Sequence, residues 1–256
     1  MSEADVVYVV EGGVARLTIN REAKRNSLSI SAVELLHEYL EKVREDGDVR
    51  AVLITGVGEK AFCSGGDLAG GTGEGKVDPF QNYADLLKKI VSFPKPTVAR
   101  VNGYCLAGGM GLMLACDIVI AKRSSKFGTP EVNVGLWPMM IGALIFRNAV
   151  RKRAMEMILL GDRMSAEEAL DMGLVTRVVE DGELDGEVDK VLKVLAGKSP
   201  IGMKIGKEAF YAMADMGFEE ALDFLSGKIA EVASTEDAIE GITAFIEKRD
   251  PVFKGK

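Results

Sequence analysis

The period of apolar and polar positions changes along the chain, and the changes mark its elements. Residues 6–10 and 14–19, separated by Glu11-Gly12-Gly13, read as the strands of a hairpin. A helix follows, capped by Ser29 or Ser31, with Leu35, Leu36, Tyr39, Leu40 and Val43 at helical spacing and an end near Asp46-Gly47. Residues 51–55, 97–101 and 118–121 are short apolar runs of strand character, and 78–91 and 108–115 fit helices between them. Such alternation predicts an α/β layer or a spiral of strand-strand-helix units, and periodicity alone does not separate a spiral from a doubly wound sheet. From about Met139 the pattern is helical, at 154–160, 166–172, 184–196, 202–216, 218–234 and 235–248, with only 175–179 as a strand. The break at Gly197-Lys198-Ser199-Pro200 divides an expected α/β core, 1–197, from a helical unit, 198–256. That unit carries Ile, Leu, Phe and Met on one face, which must pack on the core or on another subunit.

Composition narrows the class. The 256 residues are 47% hydrophobic, enough for one substantial core with a smaller appended unit. The net charge of −7 has no long basic run beside it, so a nucleic-acid surface is not expected and any anionic ligand must be held locally. No apolar run reaches the length of a membrane span, and the acidic start Met1-Ser2-Glu3-Ala4-Asp5 does not resemble a signal peptide, so the expected location is cytoplasmic, without a membrane partner. Cys63, Cys105 and Cys116 show no CxxC spacing and His37 is the sole histidine, which argues against a disulfide framework, a Cys/His zinc site or any other metal centre. It also removes Ser-His-Asp and Cys-His nucleophiles in their usual forms. His37 lies in the helical pattern among Glu34, Glu38 and Glu41 and reads as a boundary residue.

Two glycine-rich stretches carry the candidate chemistry. Phe62-Cys63-Ser64-Gly65-Gly66-Asp67 and Asn102-Gly103-Tyr104-Cys105-Leu106-Ala107-Gly108-Gly109-Met110-Gly111 each follow a β-like run and precede helix-like sequence. Alone, either glycine pair is a tight turn. Together, with the second at a helix N-terminus, they offer two N–H groups to one oxygen, and a donor of that kind is worth about 3 kcal/mol to a developing oxyanion. Gly128-Thr129-Pro130-Glu131 adds a carboxylate. Two other glycine patterns carry less. Gly56-Val57-Gly58-Glu59-Lys60-Ala61 matches a dinucleotide fingerprint but runs into turn-rich sequence where a helix is required, and Gly70 to Val77 lacks both the strand and the hydroxyl of a phosphate loop.

These segments resemble the enoyl-CoA hydratase/isomerase (crotonase) superfamily. Asn20 to Ser29 looks like its early CoA-contacting segment, Ala61 to Leu68 like its first oxyanion motif, and Val101 to Asp117 like its second. The resemblance implies a crotonase-like ββα spiral core with a helical C-terminal oligomerisation unit, in trimers or dimers of trimers. It implies Gly66 and Gly108 as oxyanion donors and Glu131 as proton carrier. Asp67, Leu68 and Ala69 would line the adenine and pantetheine path, and Lys24, Arg25 and Lys254 would lie near the phosphates. The substrate would be an acyl-CoA, coenzyme A being part of the thioester, with no separate cofactor.

One departure bears on the reaction. Hydratases of this family carry a second glutamate three residues past the oxyanion glycine, where this chain has Gly111. A lone carboxylate suits transfer of one proton from the α to the γ carbon of a 3-enoyl-CoA, so double-bond isomerisation is the expected reaction. Enoyl-CoA hydration and a noncatalytic acyl-CoA-binding role are the alternatives. For such work Glu131 needs a raised pKa, and Val132, Val134, Leu136, Trp137, Pro138, Met139 and Met140 make its surroundings apolar. Trp137, Met139 and Met140 either shape an acyl pocket or pack in the core. Restoring a glutamate at 111 is expected to raise hydration relative to isomerisation.

Overall fold

The structure is a computed structural model, and it describes residues 4–67 and 78–256. The hairpin forms as expected: β1 (Val6–Glu11) pairs antiparallel with β2 (Val14–Ile19). Ser29 caps α1 (Ile30–Glu45), its hydroxyl accepting from Ala32 N–H at 3.0 Å. Ala32, Val33, Leu36, Leu40 and Val43 form the buried stripe of that helix. Then β3 (Ala51–Gly56), β5 (Thr97–Val101), β7 (Ile118–Lys122) and β10 (Arg177–Val179) extend the first sheet in parallel, in the order β1-β2-β3-β5-β7-β10. β3 is buried along its whole length, which is why it reads as a continuous apolar run and not as an alternating one.

A second sheet stacks the short strands. β4 (Ala61–Cys63), β6 (Tyr104–Leu106) and β8 (Lys126–Gly128) run parallel, and β9 (Met164–Ser165) closes it antiparallel. The chain therefore climbs from one sheet to the other and back through successive strand-strand-helix turns. This is the spiral expected from the resemblance.

Three helices deliver the interior of the site. α2 (Pro79–Val91) starts at Asp78, whose carboxylate accepts from Phe80 N–H at 2.9 Å, and it buries Tyr83, Leu86, Leu87 and Ile90 along one face. α3 (Gly108–Ala115) is buried nearly all round. Gly109 is required there, because a Cβ at that position would stand 2.2 Å from the Cys63 carbonyl oxygen. α4 (Met139–Asn148) packs on α3 through Ile141 and Ile145.

The remainder is helical: α5 (Arg151–Leu160), α6 (Ala166–Asp171), α7 (Leu184–Ala196), α8 (Pro200–Met213), α9 (Phe218–Ala233) and α10 (Glu236–Glu247). Lys207 of α8 reaches Asp117, whose carboxylate also accepts from the backbone N–H of Thr97 at 2.7 Å and its hydroxyl at 2.8 Å. That contact ties α8 to the start of the central strands β5 and β7 of the first sheet. Phe218, Phe245 and Ile246 remain exposed on α9 and α10.

Candidate active site

The two glycine stretches converge. Leu28 N–H donates to the Gly65 carbonyl at 2.8 Å and Asp67 N–H to the Leu28 carbonyl at 2.9 Å, forming a single parallel bridge that leaves the Gly66 N–H outside it. Gly108 opens α3, so its N–H has no intrahelical partner. A Cβ built on Gly108 would lie 3.6 Å from the Gly66 nitrogen, and one on Gly65 would lie 3.3 Å from the Gly108 nitrogen. The two nitrogens are thus neighbours. As the sequence reading expects, the first pair lies between a strand, β4, and a helix, α2, and the freedom of Gly66 comes from the isolated bridge.

Backbone conformation aims the second donor. Ala107 holds φ 50° and ψ −127°, a region that costs a residue with a side chain about 1–3 kcal/mol, and its N–H donates to the Gly128 carbonyl at 3.0 Å. Gly65 faces it with φ +101°, and a Cβ there would sit 2.7 Å from that of Ala107. Glycine at 65 is set by both demands.

Gly128 closes β8 just ahead of the 3-10 turn Pro130–Val134, which carries Glu131. One Glu131 oxygen, Oε2, is buried without a hydrogen-bond partner among the described residues. Burial pushes the Glu131 carboxyl above its ordinary range, opposed only by a hydrogen bond from its own N–H. A buried acceptor without a donor is costly in a merely structural position, and a carboxyl perturbed in this way is a candidate for proton transfer.

Position 111 is filled from elsewhere. A Cβ on Gly111 would stand 2.2 Å from the Tyr83 hydroxyl and 2.5 Å from Ile141 Cγ2. A glutamate at 111 would therefore require Tyr83 of α2 and Ile141 of α4 to shift, because their side chains stand in that volume. Tyr83 also donates a short hydrogen bond to the Gly108 carbonyl. Tyr83 reaches this place because the fold packs α2 against α3.

The early segment lies against the first oxyanion stretch. Ser64 N–H donates to the Arg25 carbonyl at 3.2 Å, while the Lys24 ammonium contacts Asp67 at 3.1 Å. Arg21, which the sequence did not single out, holds Asp67 at 2.8 Å and the Ser27 carbonyl at 2.5 Å. Hydrogen bonds from Arg21 and then Lys24 keep the Asp67 carboxyl below its ordinary range. Asp67 is thus an anchor for the segment that presents Lys24. Exposed Arg25 adopts a left-handed φ of 53° beside buried Asn26, whose amide donates to the Ala61 carbonyl at 2.7 Å. Leu68 and Ala69 lie outside the described residues. Lys254 is set by the C-terminal tail, where its N–H donates to Asp237 at 2.7 Å on α10.

Trp137 and Met139 are exposed, whereas Met140 packs against the main core. The three thiols are buried, and burial pushes Cys63 up to about 12, which leaves it an inert side chain.

The family model for enoyl-CoA hydratase/isomerase matches residues 10–256. The chain belongs to the crotonase superfamily. It is 33% identical over 250 residues to a short-chain-enoyl-CoA hydratase of Clostridium acetobutylicum, covering 96% of this chain and 95% of the relative. It is 35% identical over 253 residues to a carnitinyl-CoA dehydratase of Salmonella paratyphi A, covering 96% of each. Among solved structures, the enoyl-CoA hydratase of Bacillus anthracis superimposes with a TM-score of 0.93 at 32% identity, over 98% of this chain and 100% of the other. The fold is the crotonase fold, and the chain is a crotonase-superfamily enzyme. Its helices include none, among the described residues, that is long and apolar enough to cross a membrane.

Proposed function

We propose that this crotonase enzyme acts on an enoyl-CoA thioester, with the Gly66 and Gly108 N–H groups stabilising the thioester oxyanion and Glu131 as its one proton-carrying carboxylate. The observation that carries this reading is the pairing of two adjacent unengaged N–H groups with a buried, unpartnered Glu131 oxygen. With charge delocalised onto the thioester oxygen, Glu131 takes the α proton and returns it to the γ carbon, moving the double bond from the 3 to the 2 position. The occupation of position 111 by Tyr83 and Ile141 favours this isomerisation over a mechanism with two carboxylates.

The names of the relatives favour the second reading, hydration of a 2-enoyl-CoA, and on that evidence alone hydration is the better supported reaction. In that case Glu131 directs the water with a polar partner other than a side chain at 111. Parallel turnover of a short trans-2-enoyl-CoA and its 3-enoyl isomer, with products resolved by chromatography and mass, separates the two. Isomerisation without water addition is the outcome expected from position 111. Rapid hydration would transfer the assignment to the hydratases, and saturable binding without turnover of either ester would remove the catalytic reading.

Lys24 and Arg25, beside the first oxyanion stretch, are the cations we assign to the CoA phosphates, with Lys254 reaching a neighbouring subunit. Exposed Phe218, Phe245 and Ile246 support a homotrimer or dimer of trimers, built through the helical unit at 198–256. Sedimentation equilibrium is expected to give three or six copies; a monomer at micromolar concentration would remove that assembly.

A further inference from the structure

The strained turn at Ala107 raises a question of support. A residue with a side chain stays at φ 50°, ψ −127° only where its surroundings over-determine it. On the N-terminal side, Ala107 N–H is held by the Gly128 carbonyl at 3.0 Å. On the C-terminal side the next carbonyl beyond the strained peptide is that of Gly108, and Tyr83 donates its O–H to it. The two bonds bracket the peptide whose N–H belongs to Gly108.

We propose that Tyr83 is the positioning residue of the oxyanion hole, its hydroxyl clamping the Gly108 carbonyl so that the Gly108 N–H stays aimed beside that of Gly66. The inference rests on the oxyanion-hole reading above. Tyr83 stands in the volume that a side chain at 111 would fill, so one phenol both closes that position and holds the donor. The ring is buried in the face of α2 that packs on α3. A carbonyl oxygen has two lone pairs, so it accepts this bond alongside the helical one. Burial, with Glu131 among the neighbouring charges that add to it, pushes the phenol well above its ordinary range, so it remains a donor throughout the working pH range. Among the described residues, the titratable groups acting on it are the buried thiols Cys63 and Cys105 and the Glu131 carboxyl.

The test is Tyr83→Phe, which keeps the ring and removes only the hydroxyl. Binding of butyryl-CoA, a saturated thioester with no double bond to move, is followed by infrared difference spectroscopy of its carbonyl stretch. The intact protein is expected to lower that frequency and Tyr83→Phe to lower it clearly less, with butyryl-CoA affinity changed by less than about threefold. Turnover of the enoyl-CoA substrate is expected to show kcat down about tenfold with KM within about twofold, since an interaction felt mainly in the transition state lowers kcat. Replacing Tyr83 by 3-fluorotyrosine, which keeps the O–H, is expected to restore both readouts and guards against a Phe variant that folds poorly. An unchanged carbonyl shift and kcat in Tyr83→Phe would overturn the positioning role. Absence of any carbonyl shift in the intact protein would overturn the oxyanion-hole reading itself, a result distinct from the first.

Discussion

Glu131→Gln is expected to lower turnover by about a thousandfold while acyl-CoA affinity changes only a few-fold. The amide keeps the size and polarity of the side chain but cannot carry the proton, and general acid-base catalysis contributes about 10²–10⁴-fold. Stopped-flow or product assays with parallel binding titrations check this. Turnover within tenfold of the intact protein would remove Glu131 as the base. The pH dependence gives a second handle. Glu131 sits in a burial that raises its pKa, so kcat/KM is expected to rise with pH along a limb above the ordinary glutamate range, as the basic form appears. The stability contribution runs the other way. With the folded pKa above the unfolded one, the folded state holds the proton longer; stability from this group is greatest below the unfolded pKa and declines as pH rises through the folded one. Glu131→Gln is expected to lose that component of the stability profile together with the activity limb.

The second large effect is at 111. Gly111→Ala is expected to destabilise the protein by about 1–3 kcal/mol, as overpacking of a tight interior does, and Gly111→Glu by more, because it also brings a second carboxylate into a buried volume near Glu131. The clash is with Tyr83 Oη at 2.2 Å and Ile141 Cγ2 at 2.5 Å, so adding Tyr83→Phe and Ile141→Ala is expected to recover part of the loss. Melting temperatures at fixed protein concentration, arranged as a mutant cycle, measure the coupling. If Gly111→Glu melts like the parent and gains hydration, the volume is not closed and the two-carboxylate mechanism is accessible.

The long elements were legible because their periodicity is set by burial on one face or both. Ser29, the stripe from Ala32 to Val43, and the continuous apolar run Ala51–Gly56 each announce their structure, and α3 begins and ends where its apolar run does. The second sheet was not legible as a sheet. β4, β6 and β8 have three residues each and β9 two, too short for an alternation to register, and they abut glycines that read as turns. At the site, Gly66, Gly108 and Glu131 stood out through residue type and resemblance. Tyr83 did not, because its importance lies in a contact between helices separated in sequence. Arg21 was missed for a similar reason: it acts through Asp67 and Ser27, which no spacing links to it. The signal that could have found it is the lone Asp67 after the glycine pair, a partly buried carboxylate that needs a cation.

The most direct test of the central claim is a crystal structure of the protein with a bound CoA thioester. The thioester oxygen is expected within about 2.7–3.1 Å of both the Gly66 and Gly108 nitrogens, with Glu131 Oε2 facing the α carbon. A thioester oxygen bound away from these two nitrogens, or an α carbon out of reach of Glu131, would contradict that claim.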